Sequence, residues 1–144
     1  MDLRCMKFEL SVYAKELNYH KVSFPFGVLY LCDNFFISEI FSEIHLNEDK
    51  IFKIVETLVD YYGKNAKVCY ISNRVNSYSS TPQLWVKALE ENDIFSSGAI
   101  VYYSLSGLMN FEIENYICPK EMRSFNTLSA AIEWVKNKTC VSEN

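Results

Sequence analysis

The stretch Arg74-Val75-Asn76-Ser77-Tyr78-Ser79-Ser80-Thr81 gathers more binding chemistry than any other part of the chain. It carries a guanidinium, an amide, a phenol and a run of hydroxyls. It stands just before PQLWVKALEE, an amphipathic helix pattern. The first N–H groups of a helix are free, and its dipole favours negative charge there. Arg74 would add forked donors to that end. The chemistry to expect is binding: a phosphate, a carboxylate, a phosphorylated hydroxyl, or the surface of a protein partner. The plainer alternative is that Ser79, Ser80 and Thr81 only cap the helix and close the turn. The candidate partner- or anion-binding residues are Arg74, Asn76, Ser77, Tyr78, Ser79, Ser80 and Thr81.

Reactive chemistry has weaker support. The two histidines, His20 and His45, have no metal-ligand partner at helical spacing. The four glycines form neither G-x-G-x-x-G nor a Walker loop. There is no G-x-S-x-G elbow. Glu39 with Glu43, or Glu112 with Glu114, could be imagined as acid–base pairs, but surface charges on a strand end and a helix are expected. The five cysteines (Cys5, Cys32, Cys69, Cys118 and Cys140) are far apart and never C-x-x-C. Cys32 and Cys69 lie within apolar strand runs, so reduced, buried thiols are expected. The expectation is no enzyme, no cofactor and no metal.

The elements that must position the loop read as follows. Lys67 to Asn73 (KVCYISN) is a short apolar strand, and its continuous apolarity fits burial on both faces. Strand, polar loop and helix in that order make an α/β unit, with the loop at the strand's carboxyl end, where ligands gather in such folds. Thr81 and Pro82 read as N-cap and first helical residue. Leu84, Trp85, Ala88 and Leu89 form the expected buried face. Ala99 to Tyr103 is the next strand, parallel to Val68 to Ser72. Ser104 or Ser106 caps a helix carrying Leu108, Met109, Ile113 and Tyr116, ended by Pro119. MRSF is a short strand. Asn126 or Thr127 caps a last helix that buries Leu128, Ala131, Ile132 and Val135.

Upstream, Met6, Phe8, Leu10 and Val12 alternate with polar residues and predict a half-buried strand. Val22, Phe24 and Phe26 predict another, and Pro25 places it at an edge or strand end. Gly27 marks a bend. VLYLC and FFISEI flank Asp33-Asn34, a hairpin signal. Asn47 caps a helix with Ile51, Ile54, Val55, Leu58, Val59 and Tyr62 at helical spacing, and Gly63 stops it. The predicted fold class is α/β: a mixed sheet with antiparallel N-terminal strands, then βαβ units, with helices packed on the sheet. One domain spans 1–144, with its core at about 20–137, a strand extension at 1–19 and a frayed tail at 138–144.

Lys plus Arg is 14 against 18 for Asp plus Glu, and no basic block stands out, so no nucleic-acid partner is expected. No apolar run reaches the length of a membrane span, and nothing resembles a secretory signal. A cytoplasmic location is expected. The 10 Phe, 10 Tyr and 2 Trp are mostly core, although Tyr61-Tyr62, Tyr78 and Tyr102-Tyr103 could line a groove for an apolar ligand.

The strand-loop-helix with serines near the helix start, the hairpin feeding a long helix, and the closing RSFNTLSAAIEWVK together resemble small bacterial STAS-type proteins of the anti-sigma-factor-antagonist class. Some of these compare with CRAL-TRIO lipid-binding domains. The resemblance covers roughly residues 20 to 137. It implies a STAS-like sheet of four or more strands, no enzymatic activity, and a regulatory or protein-interaction role. In regulatory members a serine at the start of the helix after the third core strand is phosphorylated by a partner kinase, and by position this is Ser79 or Ser80. The family's neighbouring aspartate and glycine are absent: Tyr78 precedes Ser79, and Pro82-Gln83-Leu84 follow. What carries over is the fold and the place of a recognition surface. The implied partner is a protein or a second copy, and the alternative ligand is a lipid or other apolar small molecule. On this reading Arg74→Ala with Tyr78→Ala leaves the fold intact and weakens binding, and Ser79→Ala changes little.

Overall fold

The structure, a computed structural model, describes residues 5–118 and 120–142, with side chains as far as Lys138. β1 (His20–Phe24), β2 (Gly27–Leu31) and β3 (Phe35–Ile40) form an antiparallel meander. The Asp33-Asn34 turn is closed by the Cys32 N–H donating to the Phe35 carbonyl at 2.9 Å. Gly27 is needed at the first turn because a Cβ there would lie 2.8 Å from the Glu39 carbonyl oxygen.

The chain then crosses repeatedly in one direction. β4 (His45–Leu46) leads into α2 (Glu48–Tyr62), and β5 (Val68–Asn73) follows, parallel to β3. β6 (Ser79–Ser80) pairs with β4 in a separate two-stranded ladder. α3 (Pro82–Glu91), β7 (Phe95–Val101), α4 (Leu105–Ile117), β8 (Glu121–Phe125) and α5 (Leu128–Ser142) complete the order. The main sheet runs β1-β2-β3-β5-β7-β8, and β5, β7 and β8 are parallel. Each crossover advances to the next strand on the same side, so right-handed connections place α2, α3 and α4 on one face. α5 covers the other, against β5, β7 and β8.

That two-sided cover explains VCYIS. Val68 and Tyr70 enter the core under α2 and α3 with Phe36, Ile54, Leu58 and Leu89. Cys69 and Ile71 enter the opposite core with Ile37, Ala99, Val101, Ile132 and Val135. The helix ends follow local chemistry. The Asn47 side chain accepts from the Lys50 N–H at 3.0 Å, and Gly63 ends α2 at φ 93°. Ser104 Oγ accepts from the Gly107 N–H at 3.1 Å to open α4. Thr127 Oγ1 accepts from the Ala130 N–H at 3.2 Å to open α5. Thr81 stands at the N-cap of α3 but makes no side-chain cap bond; Pro82 needs none.

Several expectations need correction. The alternation at Met6 to Val12 is no strand: Phe8–Leu10 is a 3₁₀ turn, and α1 (Tyr13–Glu16) follows it. Of the apolar set only Phe8 is fully buried, against Tyr19 and Tyr30, while Leu10 and Val12 are 76% and 65% exposed. Period two without a strand to pair with cannot make a sheet edge. The expected extension at 1–19 is thus non-strand over 5–19, and residues 1–4 lie outside the described residues. β7 begins at Phe95 rather than Ala99, because Ser96 and Ser97 continue the strand. α5 stays helical to Ser142, so the tail expected to fray after Lys138 does not do so within the described backbone. α4 ends at Ile117, and the Pro119 stop lies outside the described residues.

α4 differs most. Of the apolar residues read along it, Leu108 packs against the core, while Met109, Ile113 and Tyr116 point out, at 56%, 55% and 90% exposed. Phe111 and Glu114 are the residues it buries. Phe111 packs into the core and Glu114 pairs with Arg74, and together they set the rotation of the helix.

Candidate functional site

The loop after β5 lies at the strand carboxyl ends, as expected, and forms one wall of a cleft of about 450 Å³. Arg74, Asn76, Ser77, Tyr78, Ser79 and Ser80 line it; Thr81 does not. The opposite wall is the start of α4, with Ser104, Ser106, Gly107, Asn110 and Glu114. Tyr103 and Cys5 also line it. The α4 wall was not predicted as part of the site. Ser104 was legible as a cap, but nothing in the sequence says that this helix start faces the 74–80 loop.

The loop is tied down from below. The Asn76 amide donates to the Ile40 carbonyl at 3.0 Å. The Ser77 carbonyl accepts from the Glu43 N–H, and the Ser79 N–H donates to the Ile44 carbonyl, both at 2.9 Å. Ser79 Oγ lies 2.8 Å from His45 Nδ1. Glu43, at φ 65°, makes the turn that brings residues 43–46 beneath the loop. The hydroxyls at 79 and 80 are therefore held by a strand ladder, not by a free helix start.

Arg74 is not the exposed cation that the sequence suggests. Its side chain is 13% exposed, and Glu114's is 4%. Arg74 Nη2 donates to both Glu114 carboxylate oxygens, at 2.8 and 3.1 Å. Its Nε donates to Ser72 Oγ at 3.2 Å, and Ser72 Oγ lies 3.3 Å from the Tyr78 hydroxyl. Burial pulls the guanidinium pKa down, but Tyr78 and Glu114 outweigh it and the group stays charged. The pair is an internal clamp joining loop to α4. It leaves the cleft floor polar but close to neutral.

The expected surface charges divide unequally. Glu43 and Glu112 are exposed, while Glu114 and Glu39 are 3% and 6% exposed. Glu39 Oε2 accepts from the Phe8 N–H and from Asn73 Nδ2, each at 2.8 Å. Burial raises the Glu39 pKa, and those two donors offset part of the rise. A folded pKa above the unfolded one makes the group's contribution largest in acid and lost as pH rises through the folded value. Glu39→Gln is therefore expected to flatten the loss of stability above the ordinary carboxylate range. Urea midpoints from about pH 4 to pH 8 read this directly. Identical profiles for variant and wild type would show that Glu39 ionises as freely as a surface group.

His20, Cys32 and Cys69 stay apart from the cleft, while Cys5 lines it and His45 meets Ser79 at its edge. His20 begins β1 rather than lying in a loop, and stacks on Tyr61 at 5.6 Å. Cys32 and Cys69 are buried as expected. Burial pushes the Cys32 thiol up to about 12 and raises that of Cys69. Among the described residues no His, Cys, Asp and Glu are grouped to hold a metal ion. No helix among them is long and apolar enough to cross a membrane.

No family model matches the chain, and no curated protein matches it. Among solved structures, it is similar to an uncharacterized protein of the DUF3478 family with a SpoIIAA-like fold from Shewanella loihica PV-4. The identity is 11%, the TM-score is 0.53, and the match covers 83% of this chain and 93% of that one. At that identity the likeness speaks to architecture alone. With the mixed six-stranded sheet and its helices, it makes this chain an α/β domain of SpoIIAA-like fold.

Proposed function

We propose that the chain is a non-enzymatic interaction module that docks a segment of a protein partner in the cleft and along α4. The observation that carries this reading is the outer face of α4. Leu105, Met109, Ile113 and Tyr116 are 72%, 56%, 55% and 90% exposed and lie on one side of the helix whose first turns wall the cleft. Large apolar side chains in a continuous stripe, with a polar cleft beside them, are the composition of a docking surface: an apolar centre and a hydrogen-bonding rim. The exposed charge of α4 is Glu112, so the partner segment that fits is apolar and carries a Lys or Arg beside its apolar side chains. In this reading Tyr78, Asn76 and the loop serines contact the partner, and Arg74 holds the loop in place from inside. A regulatory role follows if partner binding is switched, and Ser79, exposed at the cleft, is the hydroxyl best placed for that.

A photo-crosslinking residue at Asn110, inside the cleft, tests the reading in cells of the host. Crosslinking to one protein, lost in Met109→Glu with Tyr116→Ser, is the expected outcome. An unchanged crosslink in that folded variant would remove α4 from the interface. Both positions are exposed, so folding should change by less than about 0.5 kcal/mol.

The apolar-ligand reading keeps one specific feature. A groove of about 270 Å³ between α2 and α3 has Ile51, Val55, Leu84 and Ala88 on its floor. The small chamber behind the cleft, by contrast, is about 30 Å³ and has Arg74 and Glu114 in its lining; it is too small for an acyl chain. Native mass spectrometry of protein purified from its host distinguishes the two readings by the presence or absence of a retained small molecule.

A further inference from the structure

Glu39, Asn73 and Tyr103 stand at the carboxyl ends of the adjacent strands β3, β5 and β7 or just beyond, in one row on the α5 side of the sheet. The residues next along that face are apolar: Ile37, Ile71 and Val101. A buried carboxylate and a buried amide are costly there unless they are paired, and apolar side chains would fill the same space. What pairs them is backbone. The Asn73 amide donates to the Met6 carbonyl at 2.9 Å, and the Tyr103 hydroxyl reaches the same oxygen at 3.3 Å. Glu39 accepts from the Phe8 N–H at 2.8 Å. Tyr103 also donates to Asn73 Oδ1 at 2.7 Å, which fixes the amide with its N–H₂ toward Glu39 and Met6. Between the two bonded backbone groups Lys7 is extended, at φ −72° and ψ 144°. The Phe8 ring fills a slot beside Tyr30 and Tyr19, at 4.7 and 5.0 Å.

This arrangement has the parts of a peptide-recognition site. Side chains of fixed position read a carbonyl and an N–H of an extended segment, and one pocket reads an aromatic side chain. We propose that Glu39, Asn73 and Tyr103 form a peptide-backbone site, that residues 5–10 of this chain are its resident occupant, and that an extended peptide with an aromatic at the Phe8 position competes for it. The occupant is not itself a strand of the sheet. Its remaining ties lie at or near the surface: Glu9 accepts from Lys21 Nζ at 3.0 Å and from the Tyr30 hydroxyl at 2.9 Å, the Tyr13 and Ser129 hydroxyls lie 3.0 Å apart, and Leu10 and Val12 face solvent. The site borders the cleft, because Tyr103 of the site and Cys5 of the occupant both line the cleft. Displacing residues 5–8 therefore widens the cleft on one side. The inference does not depend on what the cleft binds.

Amide hydrogen exchange on the full chain is the first test. The Phe8 N–H bonds a carboxylate, and a neutral acceptor holds it less strongly. Glu39→Gln should speed exchange at Phe8 at least tenfold, and Tyr103→Phe about threefold, with β5 and β7 amides unchanged. The second test adds a synthetic peptide of residues 5–12 to the full chain carrying Phe8→Ala, which empties the slot but keeps the row. Saturable binding, with the Asn73 side-chain amide signals shifting, is expected; the same peptide with alanine for phenylalanine should not bind. A folded Phe8→Ala chain that ignores the peptide overturns the proposal. If that variant does not fold, Phe8 exchange within twofold of wild type in Glu39→Gln overturns it instead.

Discussion

Gly98→Ala is expected to destabilise the protein by about 3 kcal/mol or more, at the upper end of the cost of overpacking. The Tyr70 ring lies directly on this glycine. A Cβ at 98 would stand 2.0 Å from Tyr70 Cζ, 2.4 Å from its hydroxyl oxygen and 2.5 Å from Cε1. The ring has nowhere to go. It packs edge-on to Trp85 and Phe95, at 5.9 and 6.0 Å. It also faces its register partner across the neighbouring strands β5 and β7, since Tyr70 pairs with Gly98. Thermal and urea unfolding measure the loss, and it should be smaller when Tyr70→Leu is made in the same chain, because the clash is shared by the two positions. Tyr70→Phe alone should cost little. Its hydroxyl is buried without a hydrogen-bond partner among the described residues. The Trp85 indole lies close by but outside hydrogen-bonding geometry. Burial pushes the phenol pKa up, and the indole offsets only part of that. A Gly98→Ala protein as stable as wild type would mean that the ring does not sit on β7.

Arg74→Ala comes second, with an expected loss of about 3–5 kcal/mol, the cost of leaving one member of a buried ion pair alone. The stranded group is Glu114, 4% exposed on its side chain. Replacing both residues, Arg74→Met with Glu114→Leu, should recover most of the loss, since the charges then leave together. Urea unfolding of the single and double variants makes the comparison. A single-variant loss below about 1 kcal/mol would place the pair in solvent, where such bridges contribute little. This outcome bears on how the cleft can be studied. Arg74→Ala combined with Tyr78→Ala reads, from sequence, as a change that spares the fold; the buried pair makes it a folding variant. Exposed cleft residues such as Ser77 and Asn110 are the ones to change when only binding is to be tested.

The parts of the fold that sequence made legible are those set by local rules. α2 followed from Asn47, Gly63 and the apolar spacing between them. The hairpin followed from Asp33-Asn34 between two apolar runs. The parallel pairing of β5 with β7 followed from apolar strands separated by a helix. The parts that stayed hidden depend on contacts distant in the chain. Phe8 alternates like a strand residue but serves as a single anchor against Tyr19 and Tyr30. α4 carries apolar residues all round, so its periodicity could not say which side faces inward. The decision rests on Phe111 entering the core and on one carboxylate, Glu114, meeting Arg74 from 40 residues away. Glu39 read as a surface charge because nothing near it in sequence offers a donor; its donors are Phe8 and Asn73, 31 and 34 residues distant. The candidate loop was placed correctly at the strand ends. Its most prominent residue, Arg74, is paired inside with Glu114, and half of the cleft, the start of α4, had no signal of its own.

The central claim is that the cleft and the outer face of α4 form one docking surface. Amide chemical-shift mapping of the labelled chain, titrated with the protein captured by the Asn110 crosslink, tests it most directly. The account predicts the largest shifts at residues 76–80 and 104–116, with α5 and the β1 edge unmoved. Shifts concentrated on α5, or in the groove between α2 and α3, with the 104–116 signals unchanged, would contradict it.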